Sequence, residues 1–248
     1  MTAPRIFVGT LACGEAELEV CCSAIASQIG VQVTHRVISD QPEFEAHNLL
    51  WAAWGHAKAD HDLFVKVDAD TILNGDSALE RIAALFADRR VTGAQMLLHD
   101  YFTDRLIAGL NAFSPRVEFR QASSRLFADH ADRNHDLVLK GDATAHLAPI
   151  GWHCKFPHSR QAFHFGLHRA LKKQREVISR CAEVWLQQRD EARAWALAGA
   201  MSAGWRMRNS HDYANDRFEK AFLRLKDDPA RLVIEVEAFV RKKLGVEA

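Results

Sequence analysis

The feature that most constrains the fold is an alternation of short apolar runs with segments whose apolar residues recur at helical spacing. Arg5 to Gly9 reads as a strand. Leu18, Cys21, Cys22, Ile25 and Ile29 then keep a helical beat, with Gly30 as its stop. Val33 to Ile38 is a second strand, and Phe44, His47, Leu50, Trp51 and Trp54 mark a second helix. "HDLFVKV" is a third strand, closed by Asp68, and "NGDSALERIAALF" opens a third helix with Ser77 and Glu80 as a capping box. Another apolar run extends from Val91 to Leu98. A chain written this way is α/β, a mainly parallel Rossmann-like sheet covered by helices.

Tyr101 to Phe127 has no clean period and reads as loop or short helices, followed by short strands at 136–140 and 143–149. After Pro157 the pattern turns helical: Phe163, Leu167, Ala170, Leu171 and Ile178 mark a long helix with Ser159 as its cap, and further helices follow at 181–200, 213–226 and 229–243. The expected division is a domain at 1–165 and a helical extension at 166–248. The 248 residues are enough for that arrangement.

Net charge is zero, so bulk electrostatics name no partner and give no reason to expect nucleic acid. The basic bias of the tail leaves peripheral association with an anionic membrane surface open, and homo-oligomerisation is equally open. The opening "MTAPRIFVGT" is too briefly apolar for a signal peptide, and no run reaches membrane-spanning length. Five cysteines with no CxxC pair fit a reducing, cytoplasmic setting, including the inner face of a membrane. Cys21 and Cys22 read as small core residues.

Ligands of such sheets bind at the carboxyl ends of the strands. Asp68 and Asp70, in "VKVDADT", fall at the carboxyl end of strand three. Their hard oxygens suit Mg²⁺ or Mn²⁺, although aspartates are also ordinary turn residues. A second dense segment, "GWHCKFPHSRQAFHFGLHRALK", holds His153, Cys154, His158, His164 and His168. A tetrahedral zinc site there is disfavoured on two grounds. Side chains of adjacent strand residues diverge, which separates Cys154 from His153, and Arg160, Arg169 and Lys172 would repel a dication.

Several stretches together resemble the nucleotide-binding half of a GT-A fold glycosyltransferase, in the style of glycosyltransferase family 2. These are "RIFVGT", "LEVCCSAIASQ" with Ser23 and Gln28, "VTHRVISD" ending in Asp40, the Asn48 helix, and Asp68 and Asp70 as the DxD motif. The resemblance implies a metal-dependent transferase that moves a sugar from a nucleoside-diphosphate sugar. Its acceptor is open among glycan, lipid-linked sugar, protein and small molecule. It implies Mn²⁺ or Mg²⁺ at Asp70, with Asp68 at the metal or ribose and Asp40 and Thr10 beside the nucleotide. A histidine from later in the chain would be the third ligand, for which His153 is the candidate over His158 and His164. Lys155 and Arg160 would neutralise the diphosphate. If transfer is inverting, a carboxylate must take the acceptor proton, with Asp104 favoured over Asp100, Asp142 and Glu118. A non-catalytic protein of the same fold is the rival reading. A sugar-phosphate nucleotidyltransferase is disfavoured because "GTLACGEAELE" lacks that class's glycine-rich, basic signature, and no GxGxxG supports an oxidoreductase.

Overall fold

The computed structural model describes residues 2–122, 131–204 and 216–244. They form two compact units: Met1–Tyr101 with Arg105–Lys155, and Phe102–Asp104 with Phe156–Ala248. The division thus falls at Lys155/Phe156, ahead of the expected 165/166, and the second unit also claims a three-residue turn from within the first.

The first unit is α/β, as expected. Its strands are β1 (Arg5–Ala12), β2 (Gln32–Ser39), β3 (Leu63–Lys66), β4 (Thr71–Leu73), β5 (Gly93–Asp100), β6 (Arg105–Phe113), β7 (Glu118–Phe119), β8 (Ala131–Arg133), β9 (Val138–Leu139) and β10 (Gly151–His153). Its helices are α1 (Leu18–Ala26), α2 (Glu43–Ala57), α3 (Ala78–Ala84) and α4 (Asp142–Ala145). The main sheet runs β2-β1-β3-β6-β5-β10-β4. β9 pairs with the first residues of β5 and β10 with its last, both in parallel. β7 and β8 form a separate ribbon.

Strand alternation decides how the sheet is covered. Ile6 and Val8 of β1, with Leu63 and Val65 of β3, pack with Cys21 and Ile25 of α1 and Leu79 and Ile82 of α3. Phe7 and Phe64, the intervening residues, pack with Leu50, Trp51 and Trp54 of α2. Phe119 stacks on Trp51 with ring centres 4.2 Å apart, closing the aromatic side. A methyl on Gly9 would run into Leu50, so glycine there lets α2 lie close on β1.

The structure corrects several expectations. The stretch read as irregular after Tyr101 contains β6, a nine-residue strand lying antiparallel between β3 and β5. Its inner end is buried and its outer end exposed, so one alternating pattern never develops. The residues 123–127 of that stretch lie outside the described residues. The strand expected at 143–149 is instead α4, whose Thr144 hydroxyl donates to the Gln95 carbonyl. Ser77 stands at the N-cap of α3 but makes no capping bond. The Gln28 side chain takes that role: its Oε1 accepts from the Leu79 N–H at 2.9 Å, and its Nε2 donates to the carbonyls of Ala24 and Gly75. Cys21 is a core residue, whereas Cys22 is half-buried.

The second unit is helical: α5 (Ser159–Leu171), α6 (Arg175–Gln188), α7 (Glu191–Ser202), α8 (Asp216–Lys226) and α9 (Pro229–Phe239). The expected start of α8 at 213 lies outside the described residues. The cap of α5 is His158, whose Nδ1 accepts from the Gln161 N–H at 3.0 Å, and Ser159 is the first helical residue. The helical run expected over 181–200 is broken at Arg189, where φ is 53°, before Asp190 caps α7 by accepting from the Arg193 N–H. α5 and α7 meet backbone to backbone: a methyl on Gly166 would overlap the Ala196 carbonyl, and one on Gly199 the Phe163 carbonyl. No helix among the described residues is long and apolar enough to cross a membrane.

Candidate metal centre at the sheet edge

Strand register builds the site. β10 lies between β5 and β4, with His153 paired to Asp100 on one side and to Thr71 on the other. That places His153 next to a tight turn from Asp68 to Thr71, closed by the Thr71 N–H donating to the Asp68 carbonyl at 2.8 Å. The turn is tied to β1 by the Val67 and Ala69 N–H groups, which donate to the carbonyls of Gly9 and Leu11. A methyl on Gly151 would press on the Ile72 carbonyl, so glycine permits β10 to approach β4.

Asp70, His153 and Cys154 form a cluster of metal-ligating atoms within 4.8 Å of one another. His153 Nε2 lies 3.6 Å from Asp70 Oδ2. His153 Nδ1 is 2.6 Å from Asp100 Oδ1, a carboxylate with 1% of its side chain exposed. This contact fixes the ring and aims Nε2 at Asp70. Cys154 Sγ lies 3.2 Å from Asp70 Oδ2 and 3.6 Å from His153 Nε2. Asp70 Oδ1 is buried without a hydrogen-bond partner, which is costly for a carboxylate oxygen unless a cation or water compensates.

Burial and neighbouring carboxylates shift two titrating groups beside the cluster. Burial raises the Cys154 thiol well above its usual range, and Asp70, Glu17 and Asp100 add to the effect. Glu15 is raised from 4.5 to about 7, first by burial and further by Asp70 and Asp68, against a hydrogen bond from the Cys13 N–H. The folded chain therefore holds a proton on Glu15 that the unfolded chain has released between about pH 4.5 and 7. Stability accordingly falls as pH rises through that window and levels off above it. In metal-free buffer, Glu15→Gln is expected to flatten this part of the curve of melting temperature against pH. An unchanged slope in that variant would remove Glu15 as its source.

The sequence candidates divide into three groups. Asp70 and His153 come together. Asp68, which the sequence pairs with Asp70, is held by Lys66, whose Nζ donates to its Oδ1 at 2.7 Å, and it is not part of the cluster. The reason is the turn: the two carboxylates share no extended strand, so they need not face the same way. Asp100 is fully buried against His153, so its carboxylate is not open to an acceptor. Asp142 begins α4, which is anchored at Gln95, five residues and roughly 16 Å of strand before Asp100.

Asp104 is exposed at φ 50° in the turn that belongs with the helices. Glu118 lies in the β7–β8 ribbon. Thr10 is fully buried and bonded through Oγ1 to His35 Nε2 at 2.9 Å. Asn48 accepts from the Ala122 N–H at 2.7 Å, a structural bond. Asp40 is exposed at the end of β2 with φ 56°. Lys155 lies over the Trp152 ring, 5.4 Å from its centre. Arg160 pairs with Glu219 at 2.9 Å within the helical unit, where His158, His164 and His168 also reside.

Sequence reasoning missed Cys154 as a neighbour of His153. Cys154 has φ 52°, which ends the strand and cancels the alternation that would have sent the two side chains apart.

No family model matches the sequence, and no curated protein matches it. Among solved structures the chain is similar to the mannosyltransferase PcManGT from Pyrobaculum calidifontis in complex with GDP-Man and Mn²⁺. The identity is 14% and the TM-score 0.45, over 98% of this chain and 82% of that one. It is also similar to a glycosyltransferase involved in the glycosylation of the major capsid of PBCV-1, at 12% identity and TM-score 0.28, over 43% of this chain and 59% of that one.

Proposed function

We propose that this chain is a metal-dependent glycosyltransferase using a nucleoside-diphosphate sugar as donor. The observation that carries the reading is the Asp70–His153 pair at the carboxyl edge of the sheet, with His153 oriented by buried Asp100 and one Asp70 oxygen left without a partner. Asp70 and His153 fit a divalent cation, Mn²⁺ or a similar ion, which when bound offsets the charge of a diphosphate leaving group.

The residues of the chain then have separate tasks. Asp100 fixes the imidazole. Lys66 holds the Asp68 carboxylate, which presents an exposed edge, 46% of its side chain, toward a ribose or a hydrated ion. Asp40 extends the same polar rim beyond β2. In the transfer the bond between the anomeric carbon and the diphosphate oxygen breaks, a bond from that carbon to an acceptor hydroxyl oxygen forms, the hydroxyl proton leaves to water and the nucleoside diphosphate departs.

Calorimetric titration with UDP-, GDP- and CMP-sugars, each with and without Mn²⁺, tests this reading. Cation-dependent binding of a UDP- or GDP-sugar is expected, together with release of the nucleoside diphosphate when acceptors of the four classes are supplied; binding of the CMP-sugar alone, a monophosphate donor, would count against the reading. Cation-dependent binding without any turnover would leave a non-catalytic protein of this fold. No binding of any donor would end the proposal.

A further inference from the structure

We infer that Cys154 is a protein ligand of the same cation, making the centre an Asp–His–Cys site that selects Zn²⁺ or Co²⁺ over Mg²⁺. This rests on the cation site proposed above and goes beyond it in the ligand set and in the identity of the metal.

The argument is geometric. Zn²⁺ bound to carboxylate oxygen, imidazole nitrogen and thiolate sulfur has bonds of about 2.0–2.3 Å, so its tetrahedral edges are about 3.3–3.6 Å. The three donor atoms here are separated by 3.2, 3.6 and 3.6 Å. Each edge therefore lies within a few tenths of an ångström of the tetrahedral value without any side chain moving. The fourth position stays open for a water or a phosphate oxygen, as in catalytic zinc sites.

The backbone is committed to the arrangement. Cys154 takes a left-handed conformation that costs a non-glycine residue energy, and its N–H donates to the Asp70 carbonyl at 2.8 Å. The consequence of that conformation is a thiol on the same side as the His153 imidazole. The other carboxylate oxygen, Asp70 Oδ1, is buried without a hydrogen-bond partner, so no protein donor competes with a cation for it. Sulfur and nitrogen donors favour the later first-row ions, while Mg²⁺ prefers six oxygens in octahedral geometry. Binding replaces the thiol proton: the S–H bond breaks, the proton leaves to water, and the sulfur electron pair is donated to the cation.

The test uses the full-length chain and the metals alone. Co²⁺ loading is expected to give visible bands of tetrahedral intensity and a near-ultraviolet sulfur-to-cobalt band. That second band should disappear in Cys154→Ser and persist in Cys13→Ser and Cys22→Ser. Zn²⁺ affinity should fall about 100-fold or more in Cys154→Ser, while the weak Mg²⁺ affinity stays the same. Because a buried cysteine variant can misfold, X-ray absorption of the Zn²⁺-loaded wild-type chain gives a second reading, with one sulfur expected at about 2.3 Å. Bands of Co²⁺ without the sulfur component, or only nitrogen and oxygen around zinc, would overturn the assignment of Cys154 and leave the cation site standing. No Co²⁺ spectrum at all would remove both.

Discussion

Asp70→Asn is expected to lower Mn²⁺ affinity by more than about 100-fold, because losing a direct ligand costs more than the roughly 10–100-fold lost with an outer-shell partner. The amide keeps the shape of the side chain but not its charge, so His153 and Cys154 would face a cation with no anionic oxygen beside them. Asp100→Asn should cost less, about 10–100-fold, because Asp100 acts through the imidazole it orients. Electron paramagnetic resonance of free Mn²⁺ measures both. Donor titration should follow the same order, with cation-dependent affinity collapsing in Asp70→Asn and weakening in Asp100→Asn. A folded Asp70→Asn protein that binds Mn²⁺ like the wild type would place the centre elsewhere.

The second large effect belongs to the helices. Gly199→Ala is expected to destabilise the protein by about 3 kcal/mol, at the upper end of what overpacking costs. The added methyl would meet the Phe163 carbonyl, and backbone inside a helix cannot swing aside as a side chain can. Alanine's better helix propensity recovers only about 1 kcal/mol. For a chain of this length the melting temperature should fall by about 6–12 °C. Gly55→Ala is the control, since a methyl there has open space, and it should leave stability unchanged or raise it slightly. A Gly199→Ala protein that melts with the wild type would mean that α5 and α7 are not in backbone contact.

What could be read from the sequence follows from what local pattern encodes. The strands and helices up to α3, except the three-residue β4, were legible because each buries a regular face, as with Ile6 and Val8 on one side of β1 and Phe7 on the other. β6 was not, because an antiparallel strand buried only at its inner end leaves no uniform alternation. The Asp70–His153 meeting was legible in outline: Asp70 lies in the turn that follows β3 and His153 ends β10, on the same edge of the sheet. The partners of each were not legible. That Lys66 takes Asp68 depends on a turn of four residues, and that Cys154 joins His153 depends on a single backbone angle. Asn48 and Gln28 belong to the stretches that resemble family 2, and here both are engaged in structural hydrogen bonds. A family pattern can thus be carried by packing as well as by a ligand.

The turn Phe102–Asp104 decides how this protein can be taken apart. Its Phe102 carbonyl accepts from Arg193 Nε at 3.0 Å and its Thr103 carbonyl from Arg180 Nε at 3.0 Å. Phe102 stacks on Phe165 with ring centres 4.1 Å apart. The helical unit is therefore assembled from two separate pieces of chain, one of them only three residues long. A fragment cut at Phe156 would lack the piece that satisfies a buried guanidinium and fills the place beside Phe165. Cloning the helices as a free-standing module would require stitching that turn back on, whereas a circular permutant that keeps it could preserve both units.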